Sequence, residues 1–219
     1  MPTATIVRRP STRLFAQPAS LLLSLLGVLA CGFFFAEATQ YFTFTETSYG
    51  AYAWARRWPT LLHVSSGSVA LLAGPVQLWL GLTYTRPEWH RRLGLTYVAA
   101  VLLGSFAAYY LLIYSELGLG FRSGVFGLAS AWLVTTGLAC FAIRRGAIDQ
   151  HREWMIRSYV VTTGFIMFRV LSHTMSAFGI GVVERRGVAA WGCWAVPLLI
   201  TEAVIQWRKI LQPIPQRPS

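Results

Sequence analysis

The histidines of this sequence are few and lie near the ends of long apolar runs, where they could bind an iron-containing cofactor. They are His63, His90, His151 and His173, and Arg169 lies one helical turn before the last of them. A b-type haem is held by two neutral imidazoles that project from different helices into an apolar cavity. An arginine near the rim offsets the charge of the haem propionates. These residue types predict haem b, with the four histidines as hypothetical iron ligands and Arg169 as a further cofactor-binding residue.

The composition indicates which elements must position these side chains. The chain has 219 residues, of which 55% are hydrophobic and 12% charged, and its mean hydropathy is +0.50. Such a chain is far more apolar than a water-soluble domain and is predicted to lie in a lipid bilayer. Apolar runs close to the length of about 20 residues that crosses a bilayer occur at 20–42, 60–83, 94–115, 123–143, 155–180 and 188–207.

The sequence therefore predicts an all-α fold, a single polytopic domain over residues 1–219 built as a bundle of six transmembrane helices. Thirteen basic side chains lie in the N-terminal segment, the second and fourth loops and the tail, whereas five lie in the other loops. This asymmetry predicts that the N and C termini are cytoplasmic and that the chain lies in the inner (plasma) membrane. The net charge of +11 does not indicate nucleic acid, because the basic residues lie in short segments and form no single polar face.

The N-terminal part has a second interpretation. Its basic residues, its apolar run and the sequence "AEA" at Ala36–Ala38 together resemble a signal peptide with a cleavage site. The apolar run is longer than a signal peptide requires, so an uncleaved first helix is favoured. Cleavage would leave the other five spans oriented as before.

The predicted topology sorts the histidines into two layers. His151 and His173 are 22 residues apart, which is about 33 Å of helix and about one bilayer thickness. His63 enters the second helix about one turn below its outer end, and His90 opens the third helix at the cytoplasmic surface. The expected couples are His63 with His173 on the outer side and His90 with His151 on the inner side. Two haems so placed would carry electrons across the membrane.

Three predicted helices have faces that suit a buried site. The polar stripe of the fifth helix lies within roughly 40° of one line and comprises His151, Ser158, Thr162, Phe165, Arg169 and His173. It should face the bundle interior, because an arginine in lipid costs about 2.5 to 3.5 kcal/mol. The corresponding faces elsewhere are His63, Gly67, Gly74 and Gln77 on the second helix, and His90, Gly94, Tyr97, Val101, Gly104 and Ala108 on the third. These small-residue faces could admit a flat macrocycle or let helices pack closely.

Other roles for these polar residues stay open. The inner histidines could form a solvated basic rim at anionic lipid headgroups, and the outer histidines could be buried and hydrogen-bonded. Arg169 could form an ion pair with Glu37, and Glu202 could meet the inner basic cluster. Two histidines alone would not hold a structural zinc ion. Hydrolase and nucleotide-binding motifs are absent from the sequence, and it has no carboxylate relay of the kind that proton-driven transporters use.

Three segments carry a family resemblance: "LHVSSGSVALLAGPVQLW", "HRRLGLTYV" and "HREWMIRSYVVTTGFIMFRV". Together they resemble a bacterial family of predicted multi-pass membrane proteins, domain-of-unknown-function family 2306, from about His63 to His173. This resemblance implies a class of protein and no established activity.

A looser likeness is to the six-helix di-haem transmembrane cytochromes b, which also use four histidines in two layers. That likeness implies axial haem ligation by His63 with His173 and by His90 with His151. Those cytochromes spread their histidines over four helices, whereas this sequence has two of them on one helix. The likeness therefore implies no substrate site in this protein.

Three classes of function remain open. The leading hypothesis is a b-type haem-binding protein of transmembrane or quinone-linked electron transfer, with a quinone or a redox protein as partner. The alternative is a haem-free membrane protein whose polar cavity binds a small ligand, a quinone or a lipid, or a transporter. Whether the protein is an enzyme is left open.

Overall fold

A computed structural model describes residues 24–83 and 86–211. Its helices are α1 (Ser24–Thr43), α2 (Glu46–Ala55), α3 (Arg57–Thr83), α4 (Pro87–Ile113), α5 (Leu119–Arg144), α6 (Ile148–Thr162), α7 (Gly164–Ala177) and α8 (Val182–Ile210). The predicted all-α class is confirmed for these residues, which contain no strand. The N-terminal arginines, the first residues of the first predicted span and Arg217 lie outside the described ranges.

Five of the described helices are long and apolar enough to cross a membrane: α1, α3, α4, α5 and α8. They match five of the six predicted spans, and α3, α4, α5 and α8 extend beyond the apolar runs. Hydropathy detects the length of chain that matches the hydrocarbon core, whereas backbone hydrogen bonding continues into the interface. The fifth predicted span, 155–180, is instead divided between α6 and α7, so the count of six continuous spanning helices is not confirmed.

The division between α6 and α7 falls at Thr163. This residue keeps a right-handed backbone, with φ −64° and ψ −12°, but its hydroxyl donates to the carbonyl of Val160 at 2.7 Å. A side chain that competes for the helix's own carbonyls is a recognised cause of a kink. Gly164 follows and lies against Leu128 of α5 and the backbone of α8, so the division falls where the neighbouring helices are close.

The core of the bundle lies where α3, α4, α5 and α6 meet. Tyr97, Val101, Trp132, Tyr159 and Val161 are each at most 4% exposed and form one cluster with the small residues around them. The small-residue faces expected on the second and third helices do point into this core. Much of their space is filled by side chains of other helices, because the ring of Tyr159 occupies the place a side chain at Gly74 would take.

The outer surface of the bundle is apolar. Leu119 is 82% exposed, Leu199 71% and Phe106 63%, and such large exposed apolar side chains suit contact with lipid. Of the most apolar stretch of α1, 11% is buried. Most of the described part of α1 therefore presents its side chains to the bilayer.

A short helix, α2, lies between the first two spans and was not expected from the sequence. Gly50 interrupts it with φ +73°, a left-handed conformation that favours glycine. Tyr49 of α2 is buried, and its hydroxyl donates to the carbonyl of Tyr41 at 2.9 Å. Tyr52 reaches across to α4 and donates to the carbonyl of Leu111 at 2.8 Å. These contacts fix α2 across one end of the bundle.

Candidate functional site

A cavity of about 640 Å³ lies at the end of the bundle where α4 and α5 are joined, which is the predicted outer end. It is called the outer cavity below. Residues of α3, α4, α5 and α7 form most of its lining, and residues of α1, α2, α8 and the α4–α5 connection complete it. Its charged and imidazole side chains are Glu37, His63, Glu116, Arg169 and Arg186. The remaining lining is mostly apolar, so the outer cavity has the character of a small-molecule site.

His63 is held in one orientation in the wall of the outer cavity. Its Nδ1 lies 3.0 Å from the backbone carbonyl of Gly104, and because a carbonyl can only accept, Nδ1 is the donor. The imidazole ring also packs edge-on against Phe165, with ring centroids 5.7 Å apart. Among the described residues no group bonds to Nε2 of His63. That nitrogen is therefore available to a ligand.

Two hydroxyl groups in the same walls have no hydrogen-bond partner. Thr60 lies one turn before His63 on α3 and is 7% exposed, and Ser105 follows Gly104 on α4 and is fully buried. Neither Oγ1 of Thr60 nor Oγ of Ser105 has a partner among the described residues. An unsatisfied buried hydroxyl costs about 1 to 3 kcal/mol. A ligand oxygen reached by rotation of these side chains would recover that cost.

The mouth of the outer cavity carries charges of both signs. Nε of Arg169 lies 3.6 Å from a carboxylate oxygen of Glu37, which confirms the ion pair expected as one alternative for this arginine. Arg169, on α7, also lines the outer cavity that His63 of α3 lines. Arg186 and Glu116 line the same mouth, and neither forms an ion pair among the described residues.

His173, the expected partner of His63, lies elsewhere. Its side chain is 71% exposed, and its Nε2 is 4.0 Å from the carboxylate of Glu37. It is not among the residues that line the outer cavity. The two outer histidines are thus on the same end of the bundle, but only His63 belongs to the cavity wall. The helical periodicity of about 100° per residue predicted which face of its helix carries His173, but it could not predict how far the cavity extends.

The inner histidines, His90 and His151, each take part in a hydrogen bond to a neighbouring helix. Nδ1 of His151 donates to the carbonyl of Ala139 at 2.9 Å, while Gln77 donates to the backbone carbonyl of His90 at 2.8 Å. Nδ1 of His90 and Oε1 of Gln77 are buried without a partner among the described residues. This inner cluster is polar, and none of its three side chains lines the outer cavity.

The middle of the polar stripe forms a closed hydrogen-bond network. Oγ1 of Thr162 donates to the carbonyl of Ser158, and accepts from Nε1 of Trp132 at 2.8 Å and from the hydroxyl of Tyr97 at 2.7 Å. Tyr97 then accepts from Oγ of Ser158, which accepts from Thr136 at 2.7 Å. The chain of hydroxyls ends on a backbone carbonyl, so it fastens α4, α5 and α6 together and leaves no group for a ligand.

A buried arginine joins the inner ends of α6 and α8. Arg157 has a side chain only 7% exposed, and its Nε donates to a carboxylate oxygen of Glu202 at 2.8 Å. Glu153 lies 3.6 Å away, and the guanidinium carbon lies 4.7 Å from the centre of the Trp154 ring. The expectation that Glu202 meets the inner basic cluster is confirmed. Arg157 was counted with the basic residues of the fourth loop, although it lies at the start of the predicted span 155–180; α6 begins at Ile148 and carries it into the bundle.

Sequence reasoning missed part of the outer cavity. Thr60 could have been found, because it lies three residues before His63 on the same helix. Ser105 and Tyr52 could not have been found in this way. Ser105 is linked to His63 through the carbonyl of Gly104 on α4, and Tyr52 belongs to α2, a helix that hydropathy does not detect. Within residues 24–83 and 86–211 no group of three or more histidine, cysteine or carboxylate side chains could hold a metal ion.

The fold and the site define an all-helical integral membrane protein with a partly polar cavity inside the bundle. The family model for the predicted membrane protein family DUF2306 matches residues 60–205, and the chain belongs to this family. The match covers α3 to most of α8 and so contains most of the outer cavity. Comparisons with curated proteins and with solved structures give no match. The likeness to di-haem cytochromes b has no support from these comparisons.

Proposed function

We propose that this protein binds a small, largely apolar molecule in the outer cavity, within or at the edge of the membrane. The observation that carries the proposal is the oriented imidazole of His63, whose Nε2 is unoccupied in the wall of a cavity of about 640 Å³. A volume of this size is typical of ligand pockets. The unpartnered hydroxyls of Thr60 and Ser105 support the proposal, because buried polar groups are normally satisfied.

Filling the cavity tests this proposal. Ala108 lines the outer cavity, whereas Ala99 lies on the exposed side of the same helix. We expect Ala108→Phe to remove saturable binding of 4-(trifluoromethyl)phenol, measured by ¹⁹F NMR of protein in lipid nanodiscs. The matched variant Ala99→Phe should bind as the wild type does, because its new ring points to lipid. A probe signal that is identical in empty nanodiscs, or unchanged in Ala108→Phe, would overturn the proposal.

Haem b is the second candidate ligand. The observation that favours it is the bond from Nδ1 of His63 to a backbone carbonyl, the arrangement that orients haem- and metal-ligating imidazoles. Arg169 in the cavity wall could then meet a propionate. A haem bound by both outer histidines would need His173, whose side chain is 71% exposed, to turn inward.

An optical spectrum of the purified protein tests whether it binds haem. Protein expressed with ample haem and reduced with dithionite should show a sharp α-band if His63 is an iron ligand, and His63→Ala should remove it. A colourless protein would end the haem and electron-transfer hypotheses, and with them the electron-carrying role proposed for His90 and His151.

We infer further that both termini are cytoplasmic in an inner membrane and that α6 and α7 together make a sixth crossing. The basic asymmetry of the loops supports this, as does the end-to-end sequence of α6 and α7. Fluorescent-protein and alkaline-phosphatase fusions at the C terminus would test the sidedness. Phosphatase activity in place of fluorescence would contradict it.

A further inference from the structure

We propose that the ligand of the outer cavity is a lipid-soluble phenol or quinol, whose hydroxyl donates a hydrogen bond to Nε2 of His63. This inference rests on the function proposed for the outer cavity and specifies the chemical class of its ligand. It follows from the tautomer of one imidazole and from the aromatic character of the walls around it.

The tautomer of His63 is fixed by its partner. A backbone carbonyl has no proton to give, so the contact from the carbonyl of Gly104 to Nδ1 at 3.0 Å requires the proton on Nδ1. In the neutral imidazole, Nε2 then carries only a lone pair and acts as an acceptor. A ligand group that meets Nε2 must therefore donate. A ketone, an ether or a carboxylate presents only lone pairs to that nitrogen and is disfavoured.

The cavity walls favour a flat ring. The rings of Trp132 and Phe165 pack edge-to-face at 5.4 Å, and those of Phe121 and Phe168 do so at 6.1 Å. All four of these side chains line the outer cavity. Aromatic walls of this kind give an aromatic ligand favourable edge and face contacts beyond simple burial. A ring with a hydroxyl group thus satisfies both the apolar walls and the imidazole.

The unpartnered hydroxyls add a second polar contact. Oγ1 of Thr60 and Oγ of Ser105 are buried donors without a partner among the described residues, and they lie beside His63, on the same helix and next to Gly104. A molecule with a donor hydroxyl and a further oxygen, such as a quinol, can engage both kinds of group. An aliphatic hydrocarbon chain would leave His63, Thr60 and Ser105 unsatisfied.

A matched pair of probes tests the inference: 4-(trifluoromethyl)phenol and its methyl ether, which differ by the loss of the donor proton. Dissociation constants are measured by ¹⁹F NMR in nanodiscs, each corrected for partition into empty nanodiscs. We expect the phenol to bind about tenfold more tightly than the ether, as the loss of one buried hydrogen bond predicts. If the two probes bind with equal affinity and Ala108→Phe abolishes the binding of both, this inference is overturned and the proposed binding function of the outer cavity stands. Failure of both probes to bind would overturn both.

The variant His63→Phe provides a second test of the inference. Its ring keeps the apolar contacts of the imidazole but has no lone pair, so the tenfold preference for the phenol should fall to about onefold. His173→Phe is the matched control, because that side chain is 71% exposed and lies outside the cavity wall; it should keep the full preference. A preference that persists in folded His63→Phe would overturn the inference. If that variant does not fold, the wild-type comparison of phenol and ether still decides the question.

Discussion

Replacement of Gly74 by alanine is expected to lower the free energy of unfolding by about 3 kcal/mol, the upper range for an overpacked core. A Cβ atom at this position would overlap the ring of Tyr159. That ring is 4% exposed, and its hydroxyl donates to the carbonyl of Leu71 at 3.2 Å. The ring therefore cannot move away without breaking this hydrogen bond and disturbing the cluster around it, so the backbones of α3 and α6 must separate.

Gly137 on α5 is the matched control for Gly74. A Cβ atom at Gly137 meets no atom within 4 Å, so Gly137→Ala should leave stability unchanged or raise it by about 0.5 to 1 kcal/mol through helix propensity. Both variants are compared in SDS titrations and in thermal unfolding of the detergent-solubilised protein. Equal stability of Gly74→Ala and Gly137→Ala would show that Tyr159 does not fill the space beside α3.

Replacement of Glu202 by leucine is expected to destabilise the protein by about 3 kcal/mol, because it leaves a buried charge without its main partner. Arg157 is 7% exposed at its side chain, and its Nε is 2.8 Å from Glu202. In the variant, Glu153 is the counter-ion that remains for Arg157 among the described residues, at 3.6 Å and shared with Lys209. The guanidinium of Arg157 then loses its two close contacts with Glu202 and keeps the longer contact with Glu153.

The double variant Glu202→Leu with Arg157→Leu separates the charge effect from packing. Removing both charges should restore a large part of the lost stability, since a buried ion pair is often replaced by apolar groups at little cost. Asp149→Leu serves as the exposed control: its side chain is 94% exposed and pairs with Arg152 at 3.7 Å, so its effect should stay below about 1 kcal/mol. A double variant less stable than Glu202→Leu would contradict the assignment of a buried, unpaired charge.

Ion pairs between distant segments were within reach of the sequence. Glu37 and Arg169 were expected at the same height, and their side chains meet at 3.6 Å. Glu202 was expected near the inner basic cluster, and it contacts Arg157. These expectations held because charges inside a membrane are costly and must find partners at their own depth. Depth follows from counting residues along a helix, which needs no knowledge of its neighbours.

The candidate site was predictable only in part. His63 and Arg169 were selected from the sequence, and both line the outer cavity. His173 was selected by the same argument and lies outside the cavity wall. Helical periodicity fixes the angle of a side chain about its own axis, but the distance to the next helix depends on the bulk of the side chains between them.

The sequence by itself determined the class of this protein, its approximate spans and the depth of its polar residues, because hydropathy and length are properties of single segments. Only the tertiary structure decided that the fifth predicted span is divided at Thr163, that Tyr159 fills the space at Gly74 and that α2 lies across the end of the bundle near the outer cavity. It also decided that Nδ1 of His63 is engaged and that Nε2 has no partner among the described residues. Each of these depends on contacts between segments far apart in the chain, and no local pattern encodes which atoms of two packed helices will meet.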